Sequence, residues 1–312
     1  MLERAQKIVV TGGAGFIGSH LVDRLISTTQ AQVVVLDNLS RGRLENLTDA
    51  RSPRLTFIAG DLRDPALVDQ VLREAEVVFH LGAQSTVMGA LEDLEYSFST
   101  NVIGTFNVLR SASQHRVARV VFASSREVYG EALELPVDEG QPLLAINHYG
   151  ASKVMGEAYC RAFRHTHGLH TVVLRLANVY GPRDIGRVIP TWLRQATQGA
   201  DLTVCGGKQI IDFIWVDWVV DALMRAADQD VVLPPINIGS GTGTPILQLA
   251  KRIAGLTGGQ SRVHILPARP VEVTRYVANV DRMRSLLRIE PPSDPLGHLP
   301  SLVQDGSRLA AV

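Results

Sequence analysis

Three things are scarce in this 312-residue chain, and each scarcity excludes a class of protein. There are two cysteines, Cys160 and Cys205, too few for a disulfide framework and without the spacing of a zinc site. Net charge is missing: Lys and Arg total 31, Asp and Glu total 31, so no global field draws the chain to nucleic acid or an anionic membrane. Any anionic ligand has to be held by local groups. Long apolar runs are absent too, and none approaches the ~20 residues that span a bilayer. The opening MLERAQKIVV enters a strand directly, without the apolar core and cleavage site of a signal peptide, so a cytoplasmic protein is expected.

What is present is an ordinary globular composition, 46% apolar and 20% charged, with a clear order along the chain. Strands are expected at KIVVT (7–11), QVVVLD (32–37), LTFIAG (55–60), EVVFHLG (76–82), RVVFASS (119–125) and TVVLRLA (171–177). Several are apolar on both faces, as strands between two helical layers are. Helical patterns fill the gaps at 15–27, 65–74, 93–114 and 148–167. Such alternation implies a doubly wound parallel α/β sheet, a Rossmann fold, over residues 1–177. Beyond 177 glycine and proline become frequent and the alternation breaks down. A smaller α/β lobe is expected over 178–312, with some segments returning to the main sheet and a cleft between the lobes.

VVTGGAGFIG (9–18) follows the first strand and opens the first helix. Gly13, Gly15 and Gly18 fit G-x-G-x-x-G, with Gly12 alongside; glycines let the backbone approach a pyrophosphate, and a helix N-terminus offers it free N–H donors. On its own the pattern is also that of a tight strand-to-helix turn. The acid that ends the second strand, Asp37, adds specificity: its carboxylate can accept both ribose hydroxyls and would repel a 2′-phosphate, which points to NAD rather than NADP. Arg41 and Arg43 are the counter-argument. Asp61 in GDLRD is placed either near the adenine or as a cap for the helix that follows.

Tyr149 and Lys153 in NHYGASKVMGE stand at i and i+4, on one helix face. Many such pairs are only solvated contacts. This one follows a fifth strand ending in Ser124 and Ser125, at the edge where such sheets bind ligands. An ammonium beside a phenol favours phenolate, so a lowered Tyr149 pKa and a general-base role are expected.

With these residues in place the chain resembles the extended short-chain dehydrogenase/reductases, in the nucleotide-sugar epimerase/dehydratase group. The matching motifs run over essentially its whole length: TGGAGFIG, LDNLSRG, GDLRD, HLGAQS, NVIGT, SSREVYG, YGASK, RLANVYGP, VIP and IDFIWVDW. The resemblance implies a Ser125–Tyr149–Lys153 catalytic triad and tightly bound NAD. It adds Phe16, Ile17, Asn38, Leu62, Leu81 and Ala83 to the NAD site. Gln84 and Asn178 join the nucleotide-sugar site, Asn101 supports the centre, and Arg269 clamps the diphosphate. Tyr276, seven residues later, matches a position that limits the sugar pocket. It also implies a homodimer through helices 93–114 and 148–167, with Tyr96, Phe98, Val102, Phe106, Met155, Tyr159 and Phe163 as the surplus apolar residues.

Departures from the pattern narrow the chemistry. His148 stands where a proline usually precedes the tyrosine, an exchange expected to alter only the loop. Ile211 stands where an arginine commonly clamps the diphosphate; Arg187 is either its replacement or a surface ion pair. Dehydratases of the group carry Asp-Glu after the catalytic hydroxyl, to protonate the departing 6-hydroxyl and remove the C5 proton. Here those positions are Arg126 and Glu127, and a guanidinium is a poor proton donor. Arg126 has three readings: a partner for a substrate carboxylate, an ion pair with Glu127, or a solvent-facing residue. The leading expectation is a UDP-hexose 4-epimerase. The alternatives are a UDP-hexuronate 4-epimerase or decarboxylase, an atypical dehydratase, and a non-catalytic NAD-sensing protein.

Overall fold

In the computed structural model, which describes residues 1–229, 231–269 and 272–304, seven parallel strands form one central sheet. They are β1 (Lys7–Thr11), β2 (Gln32–Asp37), β3 (Leu55–Ala59), β4 (Val77–His80), β5 (Arg119–Ser125), β6 (Thr171–Leu176) and, from much later in the chain, Ile236–Ile238. The spatial order is β3-β2-β1-β4-β5-β6 with Ile236–Ile238 beside β6. The chain reverses direction across the sheet between β1 and β4, and the carboxyl ends on either side of that point open a crevice. β4 and β5 are buried at every position, so their β-branched and aromatic side chains serve the core on both faces. Each fully buried Val, Leu or Ile stabilises by about 1.5–3 kcal/mol, which makes these strands the rigid floor of the crevice.

Helices α1 (Phe16–Thr28), α2 (Pro65–Leu72), α3 (Val87–Glu92), α4 (Leu94–Phe98), α5 (Gly104–Gln114) and α6 (His148–His167) cover the sheet. The segment expected as one helix over 93–114 is divided: α4 runs into a π turn at Ser99–Ile103 and then into α5. Asn101 lies in this turn and is buried. Asp64, not Asp61, caps α2, accepting from the N–H groups of Ala66 and Leu67. Its carboxylate sits immediately before Pro65, where a cap belongs.

The second lobe is built from short strands, β7 (Asn178–Tyr180), β8 (Leu202–Cys205), β9 (Ile210–Trp215), β11 (Gly243–Pro245), β12 (Val263–Leu266) and β13 (Arg275–Tyr276), whereas β10 (Ile236–Ile238), between β9 and β11 in the chain, belongs to the main sheet. β9 is the hub, pairing with β7, β11 and β13, while β8 pairs with β12. Helix α7 (Val188–Thr197) lines the crevice. Helix α8 (Val216–Ala227) packs back against α1 and β5, and β10 is the returning strand that completes the main sheet. The chain therefore crosses between the lobes more than once. Residues 305–312, assigned above to this lobe, lie outside the described residues. Among the described residues no helix is long and apolar enough to cross a membrane.

Candidate active site

Two adjoining cavities open along the carboxyl edge of the sheet. The first is lined by Gly12, Gly15, Phe16, Ile17, Gly18, Asp37, Asn38, Leu62, Leu81, Ala83 and Lys153. These are all the expected cofactor residues except Asp61. The glycine turn has no room for side chains. Gly12 has φ +70, and a Cβ there would lie 2.7 Å from the Gly82 nitrogen; one on Gly18 would lie 2.2 Å from the Gly12 oxygen. Asp37 ends β2 almost fully buried, its carboxylate accepting from Ala14 N–H at 3.0 Å and Leu39 N–H at 2.9 Å. Burial raises its pKa. A dinucleotide fits this set, with pyrophosphate against the bare turn and the α1 N-terminus and a ribose at Asp37. Asp61 does not line this cavity, and hydrogen bonds from Arg63 hold its carboxyl down at about 2. Asn38 links it to the Tyr96 hydroxyl. Arg41 donates to the Ile185 carbonyl at 3.0 Å and so fastens loop 181–187 to the first domain.

The second cavity, a cleft of about 930 Å³, is lined by Gln84, Ser125, Arg126, Glu127, Tyr149, Asn178, Arg187 and Arg269. Of the expected substrate residues only Tyr276 is missing from its wall. Tyr276 is fully buried, stacked on Tyr129, with Arg126 over its ring at 5.8 Å. The arginine covers the tyrosine, so the expectation that Tyr276 borders the pocket is corrected: Arg126 takes that place. Ile211 lines the cleft as an apolar residue. Arg187 borders both cavities, donates to Asp184 at 2.8 Å and lies over the Phe16 ring. It is a partly buried ion pair within the site rather than a surface one. Arg269 pairs with Glu272 at 2.9 Å at the outer end.

The three residues expected as a triad straddle the seam. Lys153 borders the first cavity, Ser125 the second, and Tyr149 both. Lys153 Nζ donates to the Ala123 carbonyl at 2.9 Å and lies 5.9 Å from the centre of the Tyr149 ring. Burial pushes its pKa down to about 8. Tyr149 differs from the expectation of a lowered pKa. Burial raises it, while the Arg187 charge and a hydrogen bond with Ser125 pull the other way. The nearby Lys153, its own pKa lowered by burial, does not offset that desolvation. Asn101, expected to support the centre, accepts from Gln84 N–H at 2.8 Å and donates to Ser152 Oγ on α6 at 2.9 Å.

Arg126 does not face solvent. Its side chain is 11% exposed, and Nη2 lies 2.8 Å from Glu127 Oε1. The other Glu127 oxygen accepts from Asn147 Nδ2 at 2.7 Å. Asn147 went unnoticed in the sequence, although an asparagine just before a helix is a cap signal. A second buried pair was also missed: Glu157, one turn beyond Lys153, accepts from Ser124 Oγ at 2.6 Å and from Arg175 at 2.7 Å.

Comparison with known proteins agrees with this geometry. The profile of the NAD dependent epimerase/dehydratase family matches residues 8–239. The chain belongs to that family. A putative UDP-glucose 4-epimerase of Methanocaldococcus jannaschii is 35% identical, over 89% of this chain and 92% of that one. The crystal structure of a UDP-glucose 4-epimerase with UDP-glucose from Thermotoga maritima superposes with a TM-score of 0.90 at 31% identity, covering 96% and 98% of the two chains. A dTDP-glucose 4,6-dehydratase, DesIV from Streptomyces venezuelae with NAD bound, reaches 0.91 at 29%, over 97% of each. The family is NAD dependent, and the first cavity is the part of this member that suits NAD. Both chemistries occur among its neighbours, so the choice between them falls to the site.

Proposed function

We propose that this family member is a nucleotide-sugar 4-epimerase acting on UDP-hexoses of the glucose and galactose type. The observation that carries the reading is the position of Tyr149, which borders both cavities with Ser125 on one side and Lys153 on the other. A sugar hydroxyl brought to Ser125 in the cleft meets the Tyr149 hydroxyl at the wall it shares with the cofactor. NAD, when bound, supplies a reversible hydride acceptor and a positive ring charge. Ser125 holds the reacting hydroxyl, Tyr149 takes its proton and later returns it, and Lys153 positions the adjoining ribose. Arg187 faces the same phenol and opposes the pKa rise that burial causes. It also offers a diphosphate the cation that Ile211 does not, with Asn178 and Arg269 further along the cleft. The cleft is wide enough for a ketosugar to present its other face.

Arg126 and Glu127 favour epimerisation over elimination. The position that would protonate a departing 6-hydroxyl holds a guanidinium, and the neighbouring carboxylate has both oxygens engaged. Arg126 already has an anion in Glu127, while its buried Nη1 lacks a hydrogen-bond acceptor among the described residues, which a hydroxyl of a neutral hexose would supply. A homodimer through the outer faces of α4 and α6 completes the proposal.

The test is Tyr149→Phe. It should fold and retain NAD while losing about 10²–10⁴-fold in turnover, the usual worth of general-base assistance. Near-wild-type activity would remove Tyr149 from the mechanism.

A further inference from the structure

A buried bridge joins the strand that carries Ser125 to the helix that carries Tyr149, and Glu127 is its centre. The Glu127 backbone N–H donates to Ser125 Oγ at 3.2 Å. Its carbonyl oxygen faces Gly150 so closely that a Cβ there would stand 2.4 Å away. Its carboxylate takes Arg126 on one oxygen and Asn147 on the other. Asn147 in turn caps α6, its Oδ1 accepting from the Gly150 N–H at 2.8 Å. Tyr149 lies between the two residues so joined.

We propose that Glu127 is a positioning residue: with Arg126 and Asn147 it holds the Tyr149 hydroxyl in register with Ser125, and it carries no proton in the reaction. This rests on the reading of Ser125 and Tyr149 as the reacting pair. Both carboxylate oxygens are held in place, Oε1 by the Arg126 guanidinium and Oε2 by the Asn147 amide, so a part in proton transfer would break one of the two contacts. Arg126 is pinned in its turn between Glu127 and the Tyr276 ring. Removing either partner therefore leaves the other as a buried charge without compensation. Asn147 ties the pair to the first turn of α6, so the sequence SSREVYG sets the tyrosine's position from outside its own helix.

The experiment uses the NAD-loaded full chain and the variants Glu127→Ala, Glu127→Gln, Asn147→Ser and Glu127→Ala/Asn147→Ser. Serine keeps a cap for α6 but is too short to donate to Glu127. Asn147→Ser also leaves the ion pair intact, so it reads the bridge even where Glu127→Ala destabilises the fold. Two readouts are taken: amide hydrogen exchange across residues 148–153, and kcat and KM with UDP-galactose. Glu127→Ala and Asn147→Ser should each accelerate exchange and lower kcat by about 10²-fold or somewhat less, the cost of an ångström of misplacement, with KM nearly unchanged. The double variant should be no worse than the worse single, because both changes break one bridge. Glu127→Gln, whose amide oxygen still accepts from Asn147 but which no longer neutralises Arg126, should fall between Glu127→Ala and wild type in both exchange and kcat. A Glu127→Gln variant with wild-type exchange but kcat as low as that of Glu127→Ala would overturn the proposal and give the carboxylate a proton-transfer role. Additive losses in the double variant, or unchanged exchange in both singles, would overturn it as well. The expected exchange pattern in a protein that turns over no UDP-hexose would uphold the bridge and overturn only the substrate.

Discussion

Lys153 is a lysine held where its ammonium is poorly solvated, and that has a consequence for stability. The unfolded chain keeps the proton up to about 10.5, whereas burial makes the folded protein release it at about 8. The neutral amine's advantage is therefore fully present above 10.5 and lost as pH falls through about 8. Urea unfolding of wild type and Lys153→Met across this window should show wild type gaining on the variant as pH rises, by up to roughly 3 kcal/mol. Parallel curves would mean that Lys153 is better solvated than its burial implies. At the other end of the cofactor cavity, Asp37→Ala should weaken NAD by about ten- to a hundredfold and NADP by less, since it removes an acceptor and a repulsion together. A titration in which wild type prefers NADP would remove Asp37 from the cofactor assignment. Asp37, Ser125, Tyr149 and Lys153 were legible because each sits at a fixed place in a motif whose flanking strand and helix are also legible. The setting of Arg126 was legible only in its ion pair with the adjacent Glu127. Tyr276, whose ring it covers, and Asn147, which holds Glu127, come from other segments, and nothing local says that an arginine will lie buried across a tyrosine ring.

Among the elements, the six long strands of the first domain and α6 could be placed within a residue or two, since apolar runs and caps mark them. The two- to four-residue strands around β9 could not: their pairing is set by contacts between distant segments and carries almost no periodicity. The π turn hid for a similar reason, because its extra residue leaves the apolar pattern of 93–114 nearly unbroken. It also redistributes the apolar surplus. Val102 and Phe163 turn into the core and Tyr96 borders the cofactor cavity, so they are not free to form an interface. Leu94, Phe98 and Ile103 remain exposed beside Met155 and Tyr159 of α6. An apolar face of this kind on two helices suits an isologous contact with a second copy. Sedimentation at micromolar concentration should give twice the 33.9 kDa chain mass, and Phe98→Glu should shift it to monomer. A wild-type monomer would contradict the dimer.

At the scale of the whole molecule, the first cavity lies along the main sheet, and the adjoining cleft is walled in addition by residues of β7, β8 and β9 from the smaller sheets. β10 and α8 belong to the main layer although they follow the second lobe's first strands, which ties the two walls together. Tyr149 stands at the seam, and the sugar that leaves the cleft decides which chemistry is served there. The deciding measurement is product analysis by NMR with the NAD-loaded protein, started separately from UDP-glucose and from UDP-galactose. Convergence of both reactions on one mixture of the two hexoses, with no other sugar formed, is the predicted result. A 4-keto-6-deoxy sugar, a pentose, or turnover confined to UDP-glucuronate would contradict it.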